Sequence, residues 1–270
     1  MKRILLIGLI LLMGAALGFA DRNLVQDTLT QSVVLIFNET GGGQGLEGWL
    51  GSGVIVSPDG YIVTNRHVAG YSLKANGPDP ITGFDTYVLE GTTPRLTVYN
   101  KDWGMGGCRV VAVSRDPNKD LAILKIESAQ ALPYAKIAET ANFFPGDTVF
   151  AVGHPLGVAW MLTKGSISKM MELEDHNKWI IHDASLNPGN SGGPLFDEGG
   201  RIVGINFAAI PPGYAENIGI AVDARIVFQF VTLCIEFDQR RLEVMSEDSF
   251  KQYTPPTYYN RGYNYSPMGF

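Results

Sequence analysis

The sequence is poor in the residues on which several classes of protein depend. Only two cysteines and four histidines occur in 270 residues, and they form no close Cys/His cluster, so no metal site is predicted. Lysine and arginine number 21 against 27 acidic residues, and the net charge of -6 lacks the basic excess that a nucleic-acid partner requires. The composition therefore indicates an acidic globular protein, with neither nucleic acid nor metal as a partner.

Cysteine is too scarce for a disulfide framework. Cys108 begins the strand-like run CRVVAV, and Cys234 lies in the helix-like run AVDARIVFQFVTLCIEF. Two cysteines in an exported protein can pair, and the alternative is two buried apolar thiols. We favour the buried thiols, although the sequence leaves open whether the two residues meet.

No apolar run reaches the roughly 20 residues of a membrane-spanning helix. The apolar run at residues 4–17 follows Lys2 and Arg3 and precedes the small residues of GFAD, which is the pattern of a secretory signal over residues 1–20. An uncleaved N-terminal anchor is the alternative. In both cases the rest of the chain is expected outside the cytoplasm, either in the periplasm or secreted.

Helical periodicity is scarce, whereas short apolar runs between turn residues are frequent. The 32 glycines suit many turns, and Asp59-Gly60 within GVIVSPDGYIVT predicts a hairpin. Residues 71–84 are rich in Gly, Pro and Asn, and we predict a loop there. The pattern is typical of an all-β sandwich or barrel, followed by one helix from about residue 222 to residue 237.

The end of the chain has a different composition. Residues 253–270 hold five tyrosines and three prolines but few aliphatic side chains, so they cannot bury a core and are predicted to be disordered. We therefore divide the chain into a signal at residues 1–20, a globular domain at residues 21–237 and a tail at residues 238–270.

One serine is surrounded by residues that favour neither helices nor strands. In NPGNSGGPL, residues 187–195, the glycines let backbone N–H groups point into one concavity, which suits a nucleophile with an oxyanion hole. GNSGG also satisfies the G-x-S-x-G elbow of α/β-hydrolases. That fold places its histidine after the serine, whereas all four histidines here precede Ser191, so the elbow is rejected. For the motif alone, a plain polar turn is the remaining alternative.

A serine nucleophile needs a base, and the base needs a group that orients it. His67 ends a strand-like run in VTNRHVAG, and Asp120 lies where the loop DPNKD becomes the apolar run LAILKI. Each residue alone has an ordinary structural explanation. Their order with Ser191 is that of chymotrypsin-like barrels, and this ordered coincidence favours a catalytic triad.

Three longer blocks carry a family resemblance. GSGVIVSPDGYIVTNRHV, RDPNKDLAILKI and DASLNPGNSGGPLFDEGGRIVGIN resemble the signature blocks of the HtrA (Deg) family of trypsin-like serine proteases. The resemblance implies an all-β fold of two six-stranded antiparallel β-barrels, as in chymotrypsin and trypsin, with the active site between them and a C-terminal helix. His67 and Asp120 would come from the first barrel and Ser191 from the second.

The resemblance also implies a role for each motif residue. Ser191 would attack a peptide carbonyl, His67 would take up and return its proton, and Asp120 would orient the imidazole. The backbone of Gly189, Asn190 and Ser191 would form the oxyanion hole, with the N–H groups of Gly189 and Ser191 as donors. The implied substrate-binding residues are Ser185, Leu186, Ile205, Asn206, Phe207 and Ala208.

Three polar residues outside the motif receive individual interpretations. Ser185 stands six positions before Ser191, where trypsins that cut after Lys or Arg carry an acid, so we predict cleavage after small or medium apolar residues. His154 is interpreted as a turn residue before Pro155 rather than a second catalytic histidine. Ser52, inside GSG, is interpreted as a tight-turn residue beneath His67.

The function implied by the resemblance is that of an exported serine endopeptidase in protein quality control. It would cleave unfolded or damaged polypeptides through an acyl-enzyme, without a cofactor. The alternative is a chaperone or binding module with the protease fold and no turnover, and the intact triad argues against it. A homotrimer is implied as an assembly, and a membrane as a partner if residues 4–17 are retained. Too few residues follow the predicted helix for the PDZ domain that many members carry, and a third interpretation gives the tail the main role as an attachment segment.

Overall fold

In a computed structural model, the described residues are 29–39, 49–78, 85–90, 95–140, 142–173, 176–209 and 217–244. They contain a helix, α1 (Ala224–Val244), and a short 3-10 turn, Pro155–Gly157. The strands are β1 (Val33–Glu39), β2 (Trp49–Ile55), β3 (Tyr61–Thr64), β4 (Ser72–Pro78), β5 (Asp85–Glu90), β6 (Arg95–Asn100), β7 (Gly104–Val113), β8 (Ala122–Ile126), β9 (Thr148–Gly153), β10 (Met161–Glu172), β11 (Lys178–His182), β12 (Pro194–Phe196), β13 (Ile202–Ala209) and β14 (Gly219–Asp223).

Twelve of these strands close into two antiparallel barrels. The first barrel has the order β1-β2-β3-β8-β7-β6, and the second has the order β10-β11-β14-β13-β12-β9. Closure leaves no unpaired sheet edge in either barrel, which removes the main aggregation hazard of a β-sheet. The all-β prediction with two six-stranded barrels and a C-terminal helix is confirmed.

The apolar alternation of the strands produces three hydrophobic clusters. Ile36, Ile62 and Leu124 belong to a cluster formed by first-barrel strands, and Val149 and Ile180 belong to one formed by second-barrel strands. A third cluster lies between the barrels and under α1. Its fully buried members include Leu29, Tyr61, Leu121, Ile123 and Phe196. Because this third cluster draws side chains from both barrels, burial of its apolar surface fixes the cleft between them.

Helix α1 extends further than its sequence pattern predicted. It continues to Val244, so residues 238–244, which we had assigned to the tail, are helical. Asp238 is buried and accepts hydrogen bonds from Tyr61 Oη at 2.9 Å and from both terminal nitrogens of Arg109, at 3.1 and 2.6 Å. These bonds connect the last turns of the helix to the first barrel, so the domain boundary lies beyond residue 237.

The predicted loop at residues 71–84 is the other difference. Residues 72–78 form β4, which pairs antiparallel with β5 in a separate two-stranded sheet. Most of the described side chains of this hairpin are exposed, so its fold does not require one apolar face along each strand. Without period-2 hydrophobicity, a strand carries little sequence signal.

Both cysteines are free thiols, as predicted, but each is half-buried rather than buried. Burial raises the pKa of Cys108 and of Cys234 to about 12, so neither thiol ionises readily at neutral pH. The proposed signal at residues 1–20, its apolar run at residues 4–17 and the tail from residue 245 lie outside the described residues. Within the described residues, no helix has the length and apolar character needed to cross a membrane.

Candidate active site

The register of the first barrel brings His67 and Asp120 together. β3 and β8 pair antiparallel with Thr64 opposite Ala122, so the residues just after β3 lie beside those just before β8. His67 Nδ1 donates to Asp120 Oδ2 at 2.5 Å, and the backbone N–H of His67 donates to Asp120 Oδ1 at 3.2 Å. Because a neutral imidazole has one N–H, its Nε2 is left as the basic nitrogen.

Asp120 is held by the two residues that precede His67. Asn65 Nδ2 donates to the Asp120 carbonyl at 2.7 Å, and Arg66 Nη2 lies 3.8 Å from Asp120 Oδ1. Burial opposes ionisation of Asp120, but the pKa of the carboxyl is nevertheless held below its ordinary value, by the hydrogen bonds that it accepts from His67 and by the nearby Arg66 charge. Asp120 is therefore an ionised acceptor for the His67 ring.

The loop that carries Ser191 is fixed against the first barrel through its backbone. Ser52 N donates to Ser191 O at 2.8 Å. Gly192 has φ +81°, and a Cβ there would overlap Ser52 O and Thr64 Oγ1 and lie 3.0 Å from the Asn65 backbone nitrogen. The glycine therefore lets the serine loop approach the segment that leads into His67.

Unlike the Ser191 backbone, the Ser191 hydroxyl is not bonded to the first barrel at His67. Among the described residues it forms no hydrogen bond with the His67 ring, although the loop abuts the residues before His67. Catalytic hydrogen bonds of this kind are often long in the absence of substrate and tighten when substrate binds.

The 187–193 turn is held by backbone hydrogen bonds. Asn190 N donates to Asn187 O at 3.0 Å, and Gly192 N donates to Asn206 O at 2.8 Å. Gly189 has φ +105°, a conformation that side chains resist. The N–H groups of Gly189 and Ser191 donate to no acceptor in the described part of the chain, so neither is used in holding the turn.

Comparison with known proteins adds the family. Residues 51–205, more than half of the chain, match the family model described as a trypsin-like peptidase domain. The chain belongs to the trypsin-like peptidase family. It is 35% identical over 198 residues to a probable periplasmic serine endoprotease DegP-like of Chlamydia pneumoniae, covering 70% of this chain and 36% of that protein. It is 32% identical over 196 residues to the periplasmic serine endoprotease DegP of Escherichia coli K12, with the same coverages of 70% and 36%.

Solved structures place the chain with the HtrA-type members of the trypsin-like family. An HtrA-type protease, AlgW, with a tripeptide superposes with a TM-score of 0.61 at 27% identity, covering 78% of this chain and 62% of that one. A serine endoprotease from Yersinia pestis gives a TM-score of 0.61 at 28% identity, covering 79% and 66%. The chain spans about a third of the length of the curated DegP relatives given above.

Two of the predicted substrate-binding residues, Ile205 and Asn206, have buried side chains. Ile205 is fully buried in the cluster between the barrels, and Asn206 is 1% exposed. Asn206 Nδ2 donates to Gly193 O and Pro194 O, and His182 Nε2 lies 3.0 Å from Asn206 Oδ1. The side chains of Ile205 and Asn206 therefore face the interior rather than a pocket, and the Asn206 amide supports the end of the serine loop. A role of these two residues in substrate binding stays a prediction.

The other predicted pocket residues remain near the surface. Ser185 is exposed and Leu186 is half-buried, with Leu186 Cδ1 only 2.9 Å from where a Cβ of Gly219 would lie. Phe207 is half-buried, and its ring lies 5.3 Å from that of Trp179. Ala208 belongs to β13, but its side chain is outside the described set.

Sequence reasoning misread Ser52 and missed its contact with His154, although His154 does lie at a turn, the 3-10 turn Pro155–Gly157, as interpreted. Ser52 lies in strand β2 rather than in a tight turn, and its hydroxyl donates to Gly189 O at 2.7 Å. His154 is fully buried, with Nδ1 3.1 Å from Ser52 Oγ. The available signal was the apolar residues on both sides of GSG in WLGSGVI, which form one strand because the glycines serve close packing: a Cβ at Gly51 would lie 2.5 Å from Val68 Cγ1.

Proposed function

We propose that this chain is an extracytoplasmic serine endopeptidase that cleaves unfolded or damaged proteins, with Ser191 as nucleophile, His67 as general base and Asp120 as the orienting carboxylate. The observation that carries the proposal is the His67–Asp120 hydrogen bond next to a serine loop fixed on the same barrel. Its periplasmic location rests on the relatives, which are named periplasmic serine endoproteases. A homotrimer, and a membrane anchor at residues 4–17, remain further predictions of the family resemblance.

The proposed reaction follows from the donor and acceptor roles at each atom. Ser191 Oγ attacks the scissile carbonyl, and His67 Nε2 accepts its proton while Asp120 stabilises the imidazolium that forms. The Gly189 and Ser191 N–H groups stabilise the oxyanion. His67 then gives the proton to the leaving amine, and the C–N bond breaks to leave the acyl-enzyme. Water deprotonated by His67 attacks the ester carbonyl, and the proton returns to Ser191 Oγ.

We also propose cleavage after small or medium apolar residues. Ser185 carries no charge at the position where an acid would select Lys or Arg. Asp183 is the nearest acid in sequence, but its Oδ1 accepts a hydrogen bond from Ser166 N at 2.5 Å, so it is tied to the backbone of β10. A peptide library with every residue at the position before the cut tests this preference, and selective cleavage after Lys or Arg would contradict it.

The proposal is tested by labelling the full chain with a fluorophosphonate and mapping the modified residue. We expect a single adduct, on Ser191 Oγ, and digestion of casein by the wild type. Ser191→Ala should abolish labelling and lower kcat by about a million-fold, because the nucleophile is lost. An adduct on another hydroxyl, or equal casein digestion by the variant, would contradict the assignment.

A binding or chaperone module with the protease fold is the second candidate. It is favoured by one observation: within the described residues, Ser191 Oγ lacks a hydrogen bond to His67. The same assay separates the two functions. A folded wild type that matches Ser191→Ala in casein digestion, resists the label and still prevents aggregation of an unfolded client would support the binding module.

A further inference from the structure

Ser52 contacts both residues whose N–H groups form the proposed oxyanion hole. Its backbone N–H donates to Ser191 O at 2.8 Å, and its hydroxyl donates to Gly189 O at 2.7 Å. The Ser191 N–H belongs to the peptide that lies between these two anchored carbonyls. Fixing the peptides on both sides restricts the rotation that would turn this N–H away from the cleft.

Ser52 is itself firmly placed by the first barrel. It is fully buried in β2, and its carbonyl accepts a hydrogen bond from Thr64 Oγ1 at 2.7 Å. The β1–β2 ladder pairs it with Leu35. The hydroxyl is thus a rigid donor from one barrel aimed at a loop of the other.

His154, from the second barrel, occupies the remaining bonding positions of that hydroxyl. Its backbone N–H donates to Ser52 Oγ at 3.0 Å, and its Nδ1 lies 3.1 Å from the same oxygen. A hydroxyl has one proton and two lone pairs, so a proton given to Gly189 O requires His154 Nδ1 to act as a donor. His154 Nε2 has no hydrogen-bond partner among the described residues, which suits a bare lone pair better than an unpaired N–H.

The surroundings of the His154 ring keep it neutral. Burial lowers the pKa of His154 to about 4. The Trp160 ring meets it edge-on at 5.3 Å, and the Trp160 Nε1 donates to Val33 O at 3.2 Å. A neutral ring that carried its proton on Nε2 would instead draw the Ser52 proton to Nδ1 and leave Gly189 O without its donor.

We propose that Ser52 is a positioning residue for the oxyanion hole, and that His154, bonded as the Nδ1–H tautomer, keeps the Ser52 hydroxyl directed at Gly189. This inference rests on the proposed peptidase function. In this proposal, neither Ser52 nor His154 contacts the substrate. The pair acts only through the 189–191 backbone.

The test uses the purified full chain, a chromogenic peptide and a peptidyl boronic acid that mimics the tetrahedral intermediate. Ser52→Ala should lower kcat by about 10- to 100-fold and weaken boronate binding in parallel, while KM changes by less than about twofold. A role in folding alone would lower the apparent kcat through a smaller active fraction but would leave the boronate affinity of the active protein unchanged, so the parallel loss of boronate affinity separates the two roles. Ser32→Ala is the matched control, because Ser32 is also buried in the first barrel and donates to the Leu29 carbonyl at 3.5 Å, away from the loop.

The two variants of His154 separate its hydrogen bond from its volume. Asn places a side-chain nitrogen at the position of Nδ1, so His154→Asn should keep kcat within about twofold. His154→Leu fills similar space without a donor and should lower kcat by about tenfold. The tautomer is read independently from the long-range ¹H–¹⁵N spectrum of the ring, which should show Nδ1–H.

Three outcomes overturn the positioning role while leaving peptidase function intact. These are a folded Ser52→Ala protein with unchanged kcat, a His154→Asn protein as impaired as His154→Leu, and an Nε2–H tautomer in the wild type. A wild type inert to substrate and to fluorophosphonate would instead remove the proposed function, and the inference with it.

Discussion

The two halves of the candidate site are organised differently. On the first-barrel side, His67 and Asp120 are joined by direct side-chain hydrogen bonding, with the Asp120 side chain 14% exposed. On the second-barrel side, the Ser191 loop is held through its own main chain, which bonds the backbone and hydroxyl of Ser52 and the backbone and side-chain amide of Asn206. The base and its carboxylate are therefore preformed, whereas the nucleophile is located by its main chain and its hydroxyl is left to rotate.

This difference teaches which part of the site depends on which physical feature. Antiparallel register alone brings His67 beside Asp120, because β3 and β8 are neighbours. The serine loop has no such register. It needs the absence of a side chain at Gly192, and a donor from the other barrel, to reach its place. Perturbing one half at a time can therefore sharpen the comparison.

The largest effect is expected from breaking the preformed half at Asp120. Asp120→Asn keeps the shape but removes the charge and can hold the His67 ring in the wrong tautomer, so we expect kcat to fall by about 10⁴-fold. The free energy of unfolding should change little, because the bond that is altered is made to His67, whose ring is half-exposed. Steady-state kinetics and urea unfolding measure the two quantities, and a variant that keeps a tenth of wild-type kcat would show that the carboxylate does not orient the base.

Sequence alone was enough for the preformed half, and for the fold around it. The alternating apolar runs predicted an all-β sandwich or barrel, because burial of apolar faces drives strand pairing. The two six-stranded barrels were implied by the family resemblance of the blocks that carry His67, Asp120 and Ser191. Strand β4 was not predicted, because its described side chains are mostly exposed. The position of Ser52 in a strand was not predicted, because glycines that flank a serine resemble a turn. In the structure, Gly51 is required by the close approach of Val68, and Gly53 by that of Ile36 and Ile62.

Acid should destabilise the serine side of the site. Burial lowers the pKa of His154 and of His182 to about 4, against an unfolded value of 6.5; for His182, the Asn206 bond and Asp183 only partly oppose it. Between those pH values the unfolded chain binds more protons than the folded chain. Stability is therefore fully present above pH 6.5 and is lost as the pH falls towards 4, by about 3 kcal/mol for each histidine.

A double variant isolates this acid effect. His154→Asn and His182→Gln place uncharged donor nitrogens where Nδ1 and Nε2 now bond Ser52 and Asn206. Urea unfolding at several pH values between 4 and 7 should show a much shallower loss of stability in the double variant than in the wild type. Parallel curves for the two proteins would mean that these rings do not carry the acid sensitivity.

The smallest effect is expected at Arg66, which supports the preformed half from behind. Its Nη1 donates to the carbonyls of Ser114, Asp116 and Lys119 at 3.2, 3.1 and 3.0 Å, so it fastens the loop that ends at Asp120. Arg66→Met removes the cation and its donors. We expect kcat to fall by about tenfold through misplacement of Asp120, and the free energy of unfolding to fall by about 2 kcal/mol.

Arg66→Lys is the matched comparison for this position. An ammonium keeps the charge near Asp120 and can still bond carbonyl groups, but it lacks the planar fork that reaches several acceptors at once. Its kcat should therefore lie between those of the wild type and Arg66→Met, measured with the same peptide substrate. If Arg66→Met folds and has the kcat of the wild type, the register of β3 and β8 is sufficient by itself to place Asp120. The His67–Asp120 half of the site would then need no support from the loop, whereas the serine half still depends on contacts from the other barrel.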